Sequence, residues 1–302
     1  MADILVRAGV GRVRVVDRDF VELANLHRQS LFDEADAAAG LPKAIAAAEK
    51  LRRANSEVDL EPIVADVNHR NVESLFDGVD CVVDGTDNFE TRFLLNDAAV
   101  KLGTPWVHGG CVGAEGRSMT ILPGRTACLR CLMDDCPAPG AVETCESAGI
   151  LAPVVHAVAA IEAIEAIKIL SGNEAAISRA LSVVDLWGNV FRRIELGGLR
   201  EEVDCPACRR REFPWLAGRR GSQTAALCGR NAVQLTAEPL GAPLAELADR
   251  LAALGPVVRN AYLVRAAIGA YEITVFADGR AIVAGTDDPA VARAVYARYI
   301  GA

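Results

Sequence analysis

The chain has 302 residues, of which 51% are hydrophobic and 24% are charged. This length suggests about two domains, and the composition excludes a disordered, collagen-like or low-complexity protein. The 40 acidic and 32 basic residues give a formal charge of −8, which argues against nonspecific nucleic-acid binding through a basic face. We therefore expect a globular fold with a sizeable core and no nucleic-acid partner.

The N-terminal sequence lacks the basic, apolar and cleavage segments of a secretory signal. The longest apolar stretch, residues 150–170, contains Glu162, Glu165 and Lys168 and falls short of an uninterrupted membrane span. The nine cysteines are too few for a disulfide scaffold, and their odd number leaves at least one unpaired. We expect a cytoplasmic protein without a membrane partner, whose cysteines serve metal or thiol chemistry.

Predicted strands and helices alternate in the first third of the chain. Residues 12–17, 60–67 and 79–83 are β-branched or apolar runs typical of strands, and helical patterns follow Pro42 and span 90–102. This alternation predicts βαβ units and a parallel sheet, whose ligands bind beyond the carboxyl ends of the strands. The acidic residues that follow the first and third strands would meet at that edge.

The pattern changes after residue 105. Residues 106–122 and 177–196 favour antiparallel strands on either side of a long helix from Pro153 to Leu170. We therefore predict an α/β domain over residues 1–217, with a Rossmann-like, mostly parallel sheet that continues into antiparallel strands.

A second, small α+β domain is predicted for residues 218–302. The composition shifts near residue 218, and from Pro243 the sequence indicates a helix, three strands and a helix. The last two strands form a hairpin that turns at Asp278-Gly279.

Four cysteines stand in two pairs with metal-knuckle spacing: Cys128 and Cys131, then Cys205 and Cys208. Two intervening residues let both thiolates of a pair face one ion, and two such pairs make a tetrahedral zinc site. We expect a closed structural zinc site that clips distant segments together. The alternatives are a catalytic zinc and four unrelated buried cysteines.

Polar residues after the predicted strands suggest a nucleotide site. The stretch after the first strand supplies an acid for a ribose and two cations for phosphates, and the sequence DGTDN at 84–88 supplies carboxylates for magnesium or a ribose. The alternatives are solvated loop charges and, for Asp84, an N-cap of the next helix. The candidate residues are Asp17, Asp19, Asn25, Arg28, Gln29, Lys43, Asp87 and Asn88.

Taken together, VVDRDFVELANLHRQ, GLPK, DGTDN, the cysteine pairs and ETCESAGILAPVVHAVAAIEAIEAIKILSG resemble the ThiF/MoeB/HesA family over residues 1 to about 210. The resemblance implies a homodimer that uses Mg-ATP to adenylate the C-terminal glycine of a ubiquitin-like sulfur carrier, in thiamine, molybdopterin or related sulfur transfer. It further implies that Asp17 holds the ribose, that Asn25, Arg28 and Lys43 contact the phosphates, and that Asp87 holds magnesium.

Cys145 matches the family cysteine that precedes the long apolar helix. By the resemblance it joins Arg28, Lys43 and Asp87 as a catalytic residue and forms a covalent or persulfide link to the carrier; the alternative is an inert loop cysteine. His156, on the apolar helix, is predicted to be a core histidine with satisfied hydrogen bonds.

The chain departs from the family at its beginning. Relatives begin with a strand and a Gly-rich turn that cradles phosphates, and this sequence opens after that point. Either the true start lies upstream or half of the nucleotide cradle has been lost, and without the first strand the sheet lacks a central member. The alternative functions are a non-catalytic sulfur-carrier-binding homologue without ATP and an NAD-dependent oxidoreductase, although the sequence has no dinucleotide fingerprint.

Overall fold

A computed structural model describes residues 1–137, 148–220, 224–227, 231–235 and 243–301. The chain divides into two units. The first unit comprises Met1–Asp19, Leu23–Asp33 and Lys43–Gly221, and the second comprises Phe20–Glu22, Glu34–Pro42 and Ser222–Ala302. The loop that follows the first strand thus contributes to both units.

The helices of the described residues are α1 Ala2–Arg7, α2 Glu34–Ala38, α3 Lys43–Ala54, α4 Val72–Phe76, α5 Phe89–Leu102, α6 Leu129–Leu132, α7 Ala152–Leu170, α8 Leu199–Glu202, α9 Leu244–Ala252 and α10 Pro289–Tyr299. The helix α5 shows why these segments begin and end where they do. The Asn88 side chain accepts a hydrogen bond from the Thr91 amide at its start, and Gly103 ends it with φ +79°. Glycine adopts this left-handed backbone without strain.

The strands are β1 Arg12–Asp17, β2 Asp59–Val64, β3 Val82–Val83, β4 Trp106–Val112, β5 Glu115–Ile121, β6 Ala180–Asp185, β7 Val190–Glu195, β8 Thr224–Leu227, β9 Ala232–Leu235, β10 Val257–Arg259, β11 Leu263–Ile268, β12 Tyr271–Phe276 and β13 Ala281–Ala284.

The first unit contains two sheets. Strands β1 and β2 form a parallel pair, and a five-stranded sheet has the order β3-β4-β5-β6-β7. Within it β3 and β4 are parallel and the remaining pairs are antiparallel. The predicted α/β fold, with a sheet that turns from parallel to antiparallel, is confirmed. Two details differ from the prediction: β1 and β3 lie in separate sheets, and the third strand is shortened to two residues.

Helices pack on both faces of the five-stranded sheet, away from its exposed edge strand β7. On one face Trp106 and Ile121 join α5 and both cysteine pairs in the largest apolar core. On the other face Val107 packs against α7. Helix α7 comes so close that a Cβ at Gly109 would lie 2.4 Å from Glu162 Oε1, so a larger residue at this position of β4 would force the Glu162 carboxyl to move.

The second unit is built on a six-stranded antiparallel sheet with the order β10-β11-β12-β13-β9-β8. Helices α9 and α10 pack on one face of it. The hairpin between β12 and β13 turns at Asp278-Gly279 as predicted, with Gly279 at φ +86°. The prediction of three strands between the last two helices is wrong, because the short edge strand β10 adds a fourth. Two of the three residues of β10 are exposed, so the strand shows no alternation of apolar and polar residues in the sequence.

Among the described residues no helix combines the length and apolar character that a membrane crossing needs.

Candidate active site

Two carboxylates and a lysine meet where β1 ends. The Asp17 side chain accepts a hydrogen bond from the Asp19 amide at 2.8 Å, and Lys43 Nζ donates to Asp19 Oδ2 at 3.1 Å. The backbone is pinned at the same place, because the Lys43 amide donates to the Asp19 carbonyl at 2.8 Å. Burial raises the pKa of Asp17 against the opposing attraction of Lys43. The side chain of Lys43 is only 7% exposed, so a buried cation lies beside the acid that sequence reasoning assigned to a ribose.

Arg18 interacts with carboxylates that follow three strands, β1, β2 and β3. Its Nη1 donates to Asp66 Oδ1 at 2.9 Å, its Nε lies 3.8 Å from Asp19 Oδ1, and the charge of Asp87 also acts on it. Although burial opposes the charged form, these three carboxylates raise the pKa of Arg18. The structure therefore brings Asp87 into the same electrostatic neighbourhood as Asp19. Sequence reasoning missed Arg18 and Asp66, whose positions after β1 and β2 were the available signal.

Asn25 and Arg28 form a pair of their own within the loop after β1. Arg28 Nη2 donates to Asn25 Oδ1 at 2.8 Å, and the Asn25 carbonyl accepts the amides of Arg28 and Gln29. Asn25 is buried and Arg28 half-buried. Gln29 Oε1 is buried and has no hydrogen-bond partner among the described residues. The roles of these residues in phosphate binding stay predictions.

A network of buried hydrogen bonds holds the DGTDN loop, residues 84–88, in place. Asp84 accepts the Thr86 amide at 2.8 Å and lies 2.9 Å from His108 Nδ1, while Arg92 Nη2 donates to the Thr86 carbonyl at 2.5 Å. Burial alone would raise the pKa of Asp84, but His108 and the charge of Arg92 lower it below its ordinary value. Asp84 is therefore a buried anchor, and the alternative that it caps the next helix is wrong.

The exposed end of the same loop carries the two candidate residues. Asn88 is the actual N-cap of α5, because its side chain reaches the Thr91 amide at 2.8 Å. Asp87 is exposed beside it. Asp84 holds the start of the loop and Asn88 caps the helix at its end, so the Asp87 carboxylate between them is exposed to solvent. A ligand for a hydrated cation such as Mg²⁺ needs this exposure.

Glu162 is a buried acid that sequence reasoning overlooked. It lies on α7 with 3% exposure, and its Oε1 has no hydrogen-bond partner among the described residues. Burial and the nearby Asp84 charge raise its pKa well above the ordinary value, against weaker opposing effects of Arg92 and the N-terminal amine. The sequence around Glu162 did not indicate its burial or its raised pKa. Both depend on the close approach of α7 to Gly109.

The four paired cysteines form one cluster. Sγ–Sγ distances are 3.9 Å for Cys128–Cys131, 3.6 Å for Cys128–Cys205 and 3.5 Å for Cys131–Cys208, and all four sulfurs lie within 4.8 Å of one another. A tetrahedral zinc ion with Zn–S bonds of about 2.3 Å needs sulfurs about 3.8 Å apart. The donor set and its spacing therefore fit a closed metal site.

Helix α5 holds the segments that carry both cysteine pairs. Asn96 Oδ1 accepts the Leu129 amide at 2.9 Å, and Asp97 Oδ2 accepts the Trp215 amide at 3.0 Å. Burial raises the pKa of Asp97 to about 6, against the attraction of Arg130. The segments of the cysteine cluster are thus hydrogen-bonded to α5, the helix whose N-cap is Asn88.

Two further expectations concern the segment before and within α7. Cys145 lies outside the described residues, so its assignment as a catalytic thiol stays a prediction. His156 is exposed, and the expectation of a core histidine is wrong. It lies next to the buried positions Val154 and Val158, but a single apolar helix face does not bury every residue of an apolar helix.

Comparison with known proteins matches residues 1–207 to the ThiF family. The chain is also 42% identical over 302 residues to the sulfur carrier protein ThiS adenylyltransferase of Bacillus subtilis, covering 99% of this chain and 88% of that protein. This chain belongs to the ThiF family. A second relative, the sulfur carrier protein adenylyltransferase of Thermus thermophilus, is 38% identical over 209 residues, or 68% of this chain and 75% of that protein.

Solved structures agree on the ThiF fold. A crystal structure of MccB from E. coli with ATP superposes with a TM-score of 0.59 at 23% identity, covering 68% of this chain and 61% of MccB. The chain therefore spans about three fifths of that protein. At this identity the likeness establishes the fold of the ThiF domain only.

Proposed function

We propose that this chain is an ATP-dependent adenylyltransferase that activates the C-terminal Gly-Gly carboxylate of a ubiquitin-like sulfur carrier protein. The observation that carries the proposal is the pairing of Asp19 with the buried Lys43 beside Asp17, at the carboxyl end of β1 in a ThiF-family chain. The names of the Bacillus and Thermus relatives support the substrate class, and the former favours a ThiS-like carrier of thiamine biosynthesis over a molybdopterin carrier.

In this reaction a carboxylate oxygen of the carrier attacks the α-phosphorus of ATP, and the bond to the pyrophosphate oxygen breaks. A carboxylate is already an anion and needs no general base, so the enzyme must align the two reactants and neutralise charge. In the proposed site Asp17 accepts hydrogen bonds from the ribose, and Lys43 and Arg28 bind phosphate oxygens. On nucleotide binding, Lys43 would leave its ion pair with Asp19 and contact the phosphate oxygens instead. Asp87 and Asn88 would bind Mg²⁺, which supplies positive charge to the phosphates.

We further propose that the cysteine cluster holds a structural Zn²⁺ and that the enzyme is a cytoplasmic homodimer. The sulfur spacing and the burial of three of the four cysteines support the metal. The homodimer follows from the family resemblance, and light scattering on the purified protein tests it.

The test of the proposed activity is ATP–pyrophosphate exchange with a carrier that ends in Gly-Gly, and with the same carrier lacking its last glycine as the control. We expect exchange that requires both ATP and the intact carrier terminus. Carrier binding without exchange would identify a non-catalytic carrier-binding homologue instead.

A further inference from the structure

The loop between β1 and α3 is built into the second unit at both of its stems. Phe20–Glu22 and Glu34–Pro42 belong to that unit, whereas the flanking residues Asp19 and Lys43 belong to the first. Each flanking residue is joined to a residue of the second unit by one peptide bond. These two residues are also the ion pair of the proposed nucleotide site.

Phe20 anchors the first stem in the second unit. It is 7% exposed and packs in an apolar cluster with Leu263 and Phe276. The Phe20 and Phe276 ring centroids are 6.3 Å apart, and the Arg265 guanidinium carbon lies 4.1 Å from the centroid of the Phe20 ring. The aromatic ring is thus held between two side chains of the six-stranded sheet, so its position is set by that sheet.

Asn260 anchors the second stem. Its Nδ2 donates to the Gly40 carbonyl at 2.9 Å, while its Oδ1 accepts the amides of Tyr262 at 2.8 Å and Leu263 at 3.0 Å. The same side chain therefore ties the loop to the start of β11. The Asn260 amide nitrogen and amide oxygen bind different partners. A substitution can therefore remove the donor to the loop and keep the acceptor for β11.

The two stems are paired with each other. Phe20 and Pro42 form an antiparallel bridge, the Val21 amide donates to the Leu41 carbonyl at 2.8 Å, and the Lys43 amide donates to the Asp19 carbonyl at 2.8 Å. The Asp19–Lys43 pair is consequently the next step of a short ladder whose other steps lie in the second unit. Displacing the anchored steps would displace the ion pair with them.

We propose that the second unit positions the nucleotide site, and that Phe20 and Asn260 are positioning residues that keep Asp19 and Lys43 in register. The inference rests on the proposed function and assigns a role to residues 222–302, which lie outside the ThiF match. A ligand binds only the competent fraction of a flexible site, so a loop competent for one tenth of the time raises the apparent dissociation constant about tenfold. Loss of an anchor therefore raises the KM for ATP and leaves kcat and the KM for the carrier nearly unchanged.

The decisive variant is Asn260→Asp, which retains the acceptor for Tyr262 and Leu263 and replaces the donor that faces the Gly40 carbonyl. We expect the KM for ATP to rise about fivefold to tenfold. The matched control is Arg250→Gln, which removes the 2.7 Å hydrogen bond from Arg250 Nη2 to the Ile300 carbonyl elsewhere in the second unit. Both variants make the net charge more negative by one, and the control should leave the KM for ATP unchanged.

A second pair of variants tests Phe20. Phe20→Leu keeps an apolar side chain in the cluster and should retain most of the ATP affinity, whereas Phe20→Ala should raise the KM for ATP as Asn260→Asp does. Equal KM values for ATP in the wild type, Asn260→Asp and Phe20→Ala would overturn the proposal. So would an equal rise in Arg250→Gln, because the effect would then reflect general destabilisation of the second unit.

Hydrogen exchange of the intact protein gives a readout that does not depend on activity. Peptides covering residues 19–43 should exchange about tenfold faster in Asn260→Asp than in the wild type or in Arg250→Gln, since the amides of Val21 and Lys43 lose their protected ladder. Unchanged protection would overturn the positioning role even if the activity assay fails. A different outcome is a protein that catalyses no pyrophosphate exchange, in which Asn260→Asp still shows faster hydrogen exchange in residues 19–43. That result would support the positioning of the loop by the second unit and refute only the proposed function.

Discussion

Glu162→Gln should make the protein more stable at neutral and alkaline pH. The wild-type carboxyl is 3% exposed, with Gly109 against it and an unpartnered Oε1 within the described structure. The charged groups that act on it are Asp84, which disfavours ionisation, and Arg92 and the N-terminal amine, which favour it. Burial dominates and raises the pKa, so the folded protein holds a proton that the unfolded chain releases. Glutamine has nearly the same shape and carries no charge at any pH.

The sign of the effect follows from proton linkage. A raised folded-state pKa contributes stability that is fully present below the unfolded pKa and is lost as the pH rises toward the folded value. Within that window one proton changes the free energy of unfolding by about 1.4 kcal/mol per pH unit. For a unit of this size that corresponds to about 3–6 °C in Tm per pH unit. Relative to the variant, the wild type should therefore lose stability as the pH rises above about 5.

The assay is thermal or urea denaturation of both proteins at several pH values from 5 to 8 with constant ionic strength. The difference between the two proteins is the relevant quantity, because titration of the cysteine thiols and exposed carboxylates is common to both. A difference in stability that stays constant over this range would refute the reasoning and show that Glu162 is ionised in the folded protein.

Three further predictions concern the metal and the chemistry. Cys128→Ser should lower zinc content, measured by atomic absorption, and soluble yield, since the cluster clips distant segments together; full stability of zinc-free protein would contradict a structural metal. Asp87→Ala should abolish pyrophosphate exchange and leave zinc content and circular dichroism unchanged, and normal turnover would remove this residue from the site. Cys145→Ala should spare pyrophosphate exchange and eliminate any covalent carrier adduct in intact-mass spectrometry, so a persisting adduct would implicate another thiol.

The sequence determined the elements whose signals are local. Hydrophobic periodicity located α3, α5 and α7 nearly to the residue, and β-branched runs located β1 and β2. The spacing of the cysteine pairs was sufficient to predict one cluster, because two knuckles with a common ion leave few arrangements. The acidic and basic residues near the ends of the strands were recognisable for a similar reason, since parallel strands bring their carboxyl ends to one edge.

Tertiary structure decided everything that depends on which segments meet. Asp84 became a buried anchor and Asn88 the helix cap because the loop folds back on His108, a residue 24 positions away along the chain. Glu162 became a buried acid with a raised pKa because α7 approaches Gly109, and Arg18 came under the influence of carboxylates from three loops. The loop after β1 joined the second unit through Phe20 and Asn260. Such contacts follow from the chain path, since local patterns specify the face that an element buries and not the residues that bury it.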